Sequence, residues 1–391
     1  MGVLEALGHA AETAASMSWQ IFWALALGFY LSAIVEALVR KDSIGRLLGG
    51  HQPKNLAIAT GLGAASSSCS YAAVALARSL FRKGADFTAA MAFQIASTNL
   101  VIELGIILAV LLSWQFTLAE LVGGPIMIIL VALAFRVFIS KKLVDEARSR
   151  AERGAAGRME GHAGMDMSVS GDGPFWRRLA SRQGFTSTSH LYVMNWASVI
   201  VDVAGGLVIA GCLAAWVPDS FWRHLFFAGH PLAAKIWGPL IGPAISLVAF
   251  VCSIGNVPLA AVLWSGGMSF GGVVSFMFAD LIIVPILLIY RKYYGTRMAL
   301  RLFLIFYAAM AAAGYIVEAV FSPLGLVPAT RHVKALSPNI SLNSDTYLDI
   351  VAIALTIVLV VRFYRSGGRP MLHMMGGSPG SPNVERGPAK E

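Results

Sequence analysis

Ser66-Ser67-Ser68-Cys69-Ser70 lies inside an apolar run that extends from Leu56 to Leu80. Four serines and a cysteine add little to the hydrophobicity of such a run, so they read as a polar interruption of a membrane segment. The interruption is written twice. Cys69-Ser-Tyr-Ala-Ala-Val-Ala-Leu-Ala aligns with Cys252-Ser-Ile-Gly-Asn-Val-Pro-Leu-Ala at an offset of 252 − 69 = 183 residues. Carried without gaps over 69–101 and 252–284, that offset matches 11 of 33 positions, among them Gly84 with Gly267, Phe87 with Phe270 and Phe93 with Phe276. The chain therefore reads as two copies of one unit, each organised around a broken apolar segment.

The composition sets the solvent. Of 391 residues, 57% are hydrophobic and 13% charged, with mean hydropathy +0.69, far from soluble averages. Apolar stretches of the roughly 20 residues needed to cross a bilayer recur along the chain, so an all-α polytopic membrane protein is expected, with the lipid bilayer as its first partner. The first stretch, Ser18–Val39, lacks a basic leader and a small-residue cleavage site and is expected to stay as a permanent helix. A net charge of +9 would suggest nucleic acid in a soluble protein. Here the lysines and arginines sit in short loops and report topology instead.

Those loops specify an arrangement. Arg40, Lys41, Arg46 and Lys54 precede the first broken segment and Arg82 and Lys83 follow it, so both of its ends are expected on the cytoplasmic side. A re-entrant hairpin of two half-helices satisfies this, with its irregular backbone placed in protein or a wet cavity. Phe87–Leu112 then crosses outward and Leu118–Ile139 returns. Residues 140–189 read as a polar cytoplasmic linker whose opening, Ser140–Glu152, prolongs the preceding helix into water. The second half repeats the order: Leu191–Val217, the broken segment Ile236–Trp264, Phe270–Tyr290 and Leu300–Phe321. Pro239, Pro243 and Pro258 disfavour a continuous helix in its broken segment. Two inverted repeats follow, 18–139 and 190–322, with an additional transmembrane helix at 346–365 and a disordered tail at 366–391. Arg362, Arg365 and Arg369 put the C-terminus in the cytoplasm. Inverted repeats with discontinuous helices are the usual build of secondary transporters.

The candidate site residues gather at the breaks. Cys69 and Cys252 occupy matching positions and could hold a soft, thiophilic solute between them; the alternative is that they are small packing residues, as Cys212 exemplifies. Ser68, Ser70, Ser253 and Asn256 offer hydroxyl and amide groups to a solute, or cap the half-helices. Asn99 and Glu103, four residues apart, are expected to share a helix face. Asp280 falls deep in the counterpart helix, at the position of Ser97. Carboxylates inside membrane segments are costly and usually face a cavity, a partner or a proton path, so Asn99, Glu103 and Asp280 are assigned to gating or proton coupling. A structural pairing with Arg78 or Arg136 is the alternative. His162-Ala-Gly-Met-Asp-Met167 holds metal donors without a fixed ligand spacing, and a polar linker is the simpler reading. No nucleotide loop, zinc motif or nucleophile triad is present in the sequence, so neither an enzyme nor a cofactor is expected.

Ser68-Cys-Ser-Tyr-Ala-Ala-Val-Ala-Leu-Ala-Arg-Ser-Leu-Phe-Arg-Lys-Gly-Ala85, paired with Val251-Cys-Ser-Ile-Gly-Asn-Val-Pro-Leu-Ala-Ala-Val-Leu263, resembles the predicted-permease family that includes organoarsenical efflux permeases. The resemblance covers most of residues 18 to 322 and rests on the two Cys-Ser cores. It implies a plasma-membrane permease, some of whose relatives export trivalent arsenicals. Those exporters carry additional thiols near the first core, where this chain has serines. The sequence thus leads to a permease moving a small-molecule substrate, by efflux of a thiophilic metalloid or organometalloid compound through alternating access. A channel-like or importing permease for a small polar or anionic solute is the alternative, and a homo-oligomer is left open.

Overall fold

The computed structural model describes residues 3–38, 53–68, 70–82, 84–153, 175–179, 181–227, 229–249, 253–331 and 344–376. Every regular element among them is a helix. The first half holds α1 (Val3–Leu38), α2 (Pro53–Ser66), α3 (Ser70–Arg82), α4 (Phe87–Asn99), α5 (Ile102–Leu111) and α6 (Trp114–Phe138). Between the halves lie α7 (Lys141–Arg153) and the short α8 (Phe175–Leu179). The second half holds α9 (Arg182–Trp216), α10 (Asp219–Leu225), α11 (Pro231–Ala249), α12 (Ser253–Ser265), α13 (Phe270–Met277), a 3-10 turn at Phe278–Ile282, α14 (Val284–Tyr294) and α15 (Thr296–Phe321). α16 (Ser344–Arg365) and α17 (Arg369–Gly376) close the chain.

Five stretches among the described residues, Phe87–Leu111, Trp114–Phe138, Pro231–Ala249, Thr296–Phe321 and Thr346–Arg365, are long and apolar enough to cross a bilayer. Phe270–Ile282 and Val284–Tyr294, bent by 43°, make a sixth if taken as one span. The chain is a multi-pass membrane protein. Many large apolar side chains face outward, Leu133, Val137, Leu304 and Ile357 among them, as a lipid-facing surface requires.

The 183-residue offset carries over to element boundaries. α3 runs from 70 to 82 and α12 from 253 to 265, which are the same positions in each half. Each ends in the same way: Gly84 donates to the Phe81 carbonyl and Ala85 to that of Leu80, while Gly267 donates to Trp264 and Met268 to Leu263. Gly84 and Gly267 have φ of +99° and +106°, the left-handed turn that glycine adopts without steric cost. The helices that follow are capped at equivalent positions. Asp86 accepts from the Thr88 and Ala89 amides at 2.9 and 3.3 Å, and Ser269 accepts from Gly272 at 3.1 Å, each satisfying donors that a helix start leaves open.

Several expectations need correction. Asn99 and Glu103 do not share a helix face, because α4 ends at Asn99 and Val101 is extended (φ −101°, ψ 148°) before α5 begins. Ser97 and Thr98 turn their hydroxyls onto the Gln94 and Ile95 carbonyls just before this break, an alternative to helical pairing that such side chains supply. Pro239 and Pro243 lie within α11 and Pro258 within α12, so none of them ends a helix; membrane helices tolerate proline where neighbours satisfy the freed carbonyl. Ser140–Glu152 does not prolong α6. Ile139 is extended, and α7 folds back with Leu143, Ala147 and Ala151 buried. The α1 helix begins at Val3, well before Ser18, and packs on α9, where Trp196 meets Phe29 edge-on at 5.1 Å. α17 is helical within the stretch read as a tail, following a turn at Gly367 with φ +82°. His162–Met167 lies outside the described residues.

Candidate functional site

The two half-helices α3 and α12 start at one carboxylate. Ser70, the first residue of α3, donates its hydroxyl to Asp280 Oδ2 at 2.6 Å. Ser253, the first residue of α12, donates to the same oxygen at 2.6 Å. The offset of 183 relates these two serines, since 253 − 70 = 183. A helix start carries partial positive charge and unpaired amides, so two such starts and two hydroxyls offset the cost of burying a carboxylate. Asp280 is fully buried. It sits in the 3-10 turn that ends at the extended Ile283, so its side chain projects from a discontinuity, as the two serines do.

Around this junction the polar residues are only partly satisfied. Asn99 adjoins Asp280 as a side-chain hydrogen-bond partner, and both residues are buried. Gln94 donates to the Tyr290 hydroxyl, linking α4 to α14. One turn along α12, Asn256 donates to Ser246 Oγ at 3.3 Å and leaves its Oδ1 buried without a hydrogen-bond partner. The connection between α2 and α3 is strained, with Ser67 at φ +28°, and is held by Ser68, whose amide donates to the Ser97 carbonyl at 2.9 Å. Non-glycine residues in that region persist where surrounding structure fixes them, often at functional sites.

Of the residues singled out from the sequence, Ser70, Ser253, Asp280 and Asn99 come together. Ser68 and Asn256 lie on the adjoining turns, and Glu103 packs against Gly28 of α1. Cys69 and Cys252 lie outside the described residues; each is bonded directly to a serine of the junction. Arg78 donates to the Ala151 carbonyl at 2.8 Å and lies 4.2 Å over the Tyr293 ring, so it fastens α7 and α14 to α3. Sequence reasoning missed Glu120 of α6, which is buried. The signal was a lone carboxylate in an apolar span. Near the far end of α12 from Ser253, a cavity of about 530 Å³ opens between Arg223, Lys235, Trp264, Glu318 and Arg331.

A family model described as a predicted permease matches residues 6–319. The chain belongs to the predicted-permease family. The permease is also 61% identical over 381 residues, 97% of this chain and 94% of that protein, to a Mycobacterium tuberculosis (strain ATCC 25618 / H37Rv) protein named "Putative permease Rv2963". No solved structure matches it. Family membership makes the permease a membrane transporter and points away from an enzyme.

Proposed function

We propose that this permease exports a small solute across the plasma membrane by alternating access, with the Ser70–Asp280–Ser253 junction at the centre of the path. The observation that carries the reading is the acceptance by one buried carboxylate oxygen of hydroxyls from equivalent positions of both halves. A site assembled from two related half-helix starts can exchange partners as the halves rock, which is how inverted-repeat transporters use broken helices. On this reading residues 18–139 and 190–322 are inverted repeats, 140–189 is a cytoplasmic linker, and Arg362 and Arg365 keep the C-terminus in the cytoplasm.

The substrate class follows from what borders the junction. Cys69 and Cys252 precede Ser70 and Ser253 in the chain, and two thiolates at equivalent breaks suit a trivalent metalloid or organometalloid solute. Ser68 and Asn256 complete the lining, while Asn99, Glu103 and Asp280 serve gating or proton coupling. The second reading, a permease for a polar or anionic solute, is favoured by the three basic side chains at the 530 Å³ cavity. Growth of cells carrying Cys69→Ser, Cys252→Ser, the double variant or Cys212→Ser, challenged with methylated and aromatic arsenicals, separates the two. The metalloid reading expects loss of resistance in either junction variant, no further loss in the double variant, and wild-type behaviour for Cys212→Ser. Equal tolerance of all three substitutions at matched expression favours the anion reading.

A further inference from the structure

An apolar groove of about 750 Å³ runs between α6 and α15. The two helices are antiparallel: Gly123 approaches Val317 at one end, and Phe138 accepts from Arg301 at the other. Leu130, Ala134 and Val137 line one wall and Leu304, Ala308 and Ala312 the other, with Arg301 at the end. The three alanines leave the space that a longer side chain would fill, and Val137, Phe138 and Leu304 are exposed, as residues facing lipid are. Eleven residues of chain lead from Arg301 to Ala312, about 16 Å of helix at ~1.5 Å per residue. That is close to half of the ~30 Å hydrocarbon core, so the groove is as deep as one leaflet. Its charge lies at one end only. Apart from the bond to Phe138, the Arg301 guanidinium has no hydrogen bond among the described residues. Arg297 falls one turn earlier on the same helix face and is exposed. Arg150 of α7 lies against the turn that starts α15, where a Cβ at Gly295 would stand 3.1 Å from its Cδ, Nε and Cζ. The first turn of α15 holds no acidic residue, and among the described residues Asp145, Glu146 and Glu152 of α7 make no ion pair with these three arginines.

We propose that the groove holds one acyl chain of an anionic phospholipid, with its phosphate on Arg301 and Arg297 and the charge of Arg150 beside them. Arg301 uses Nη1 for the Phe138 carbonyl, which leaves the Nε and Nη2 edge of the guanidinium for a phosphate. Two parallel N–H donors match two phosphate oxygens. A second copy of the chain is the poorer occupant. A two-fold contact sets a patch against itself, and here it would oppose arginines with no carboxylate to pair them. On the proposed topology this end lies in the cytoplasmic leaflet, whose anionic lipids attract such basic groups. The lipid then bridges α6 of the first half and α15 of the second. No lining residue belongs to α3, α12 or the 3-10 turn, so occupancy of the groove does not depend on the junction being the solute path.

Native mass spectrometry of the purified full chain, delipidated in mild detergent and titrated with phosphatidylglycerol or phosphatidylcholine, reads the site directly. One phosphatidylglycerol is expected to stay on the monomer in preference to phosphatidylcholine. Arg297→Gln leaves the bond between Arg301 and Phe138 in place and should weaken phosphatidylglycerol binding about five-fold. Adding Arg301→Gln should erase the preference between the two lipids. Ala308→Leu with Ala312→Leu fills the groove from its lipid-facing wall without a change of charge, and should also lose the bound phosphatidylglycerol. Equal retention of the two lipids by the wild type overturns the proposal. So does phosphatidylglycerol binding that neither the arginine nor the alanine variants change. A dimer that forms on delipidation and is lost in the alanine variants overturns it in favour of an interface between copies. A thermal midpoint raised as much by inorganic phosphate as by phosphatidylglycerol overturns it in favour of a free-anion site with no acyl chain.

Discussion

Arg148 and Arg331 hold the same two carbonyls in the two halves of the chain. Arg148 donates to Phe81 O at 2.6 Å and Ala85 O at 3.1 Å, and its guanidinium lies 4.1 Å from the Phe81 ring centre. Arg331 donates to Trp264 O at 3.0 Å and Met268 O at 2.7 Å, 4.4 Å from the Trp264 ring centre. All three offsets, 331 − 148, 264 − 81 and 268 − 85, equal 183. Each arginine neutralises the carbonyl end of the half-helix whose other end meets Asp280.

Removing either arginine exposes that helix end. Arg148→Ala and Arg331→Ala should each destabilise the permease by about 1.5–3 kcal/mol, the range for charge-assisted hydrogen bonds, with a smaller share from the lost ring contact. Arg→Lys should recover little, since an ammonium cannot stack flat on a ring while serving two carbonyls. Thermal unfolding midpoints in detergent, compared at one scan rate, check this; equal stability of the lysine and arginine forms would refute it.

The shared oxygen of Asp280 makes its two serines interdependent. Ser70→Ala and Ser253→Ala each delete one donor, at a cost of roughly 1.5–3 kcal/mol for a bond to a charged acceptor. The double variant should cost more than the sum, because the second deletion leaves Oδ2 with neither hydroxyl. A double-mutant cycle on unfolding free energy measures that excess. Strict additivity would mean that water replaces either hydroxyl without penalty.

Much of this was legible in residue identities and some was not. The broken segments and their offset could be read because Cys-Ser, Gly84/Gly267 and Phe87/Phe270 repeat in type as well as position. The arginine pair could not. Arg148 belongs to α7 and Arg331 to an irregular segment, so no local pattern relates them. The separation of Asn99 from Glu103 was hidden as well, since an apolar run with correct helical spacing does not reveal where Ser97 and Thr98 turn onto the backbone. Glu120 is legible as a lone carboxylate in an apolar span, but its own helix carries no trace of what it faces.

Glu318 ties the 530 Å³ cavity to helix α13. It accepts from the Gly271 amide at 2.6 Å and lies 3.5 Å from the Lys235 ammonium. Glu318→Gln keeps the shape but weakens both interactions, so a loss of about 1–2 kcal/mol is expected. Lys235, half exposed and also bonded to Ser322, should matter less, with Lys235→Ala near the 0–1 kcal/mol of surface pairs. Unfolding midpoints of the two variants side by side test the ranking, and a larger loss for Lys235→Ala would reverse it.

Orientation is open to a chemical test. Lys54 and Arg82 flank the α2–α3 pair and both are exposed. Single cysteines at these positions, in a background with Cys69, Cys212 and Cys252 replaced by serine, should react with a membrane-impermeant maleimide from the cytoplasmic face only. Reaction of one from each face would make α2–α3 a full crossing and remove the inverted arrangement.

The junction also bears on how the chain is made. Ser70 and Asp280 lie 210 residues apart, which is roughly 10–40 s of translation at ~5–20 residues per second. For that interval the nascent amino-terminal half exists with the hydroxyl of its broken helix lacking the Asp280 acceptor. Completion therefore comes late, when the carboxyl-terminal half delivers the aspartate that both hydroxyls share. An amino-terminal half expressed alone should be recognised by membrane quality-control proteases and degraded, whereas its co-expression with the carboxyl-terminal half should rescue both.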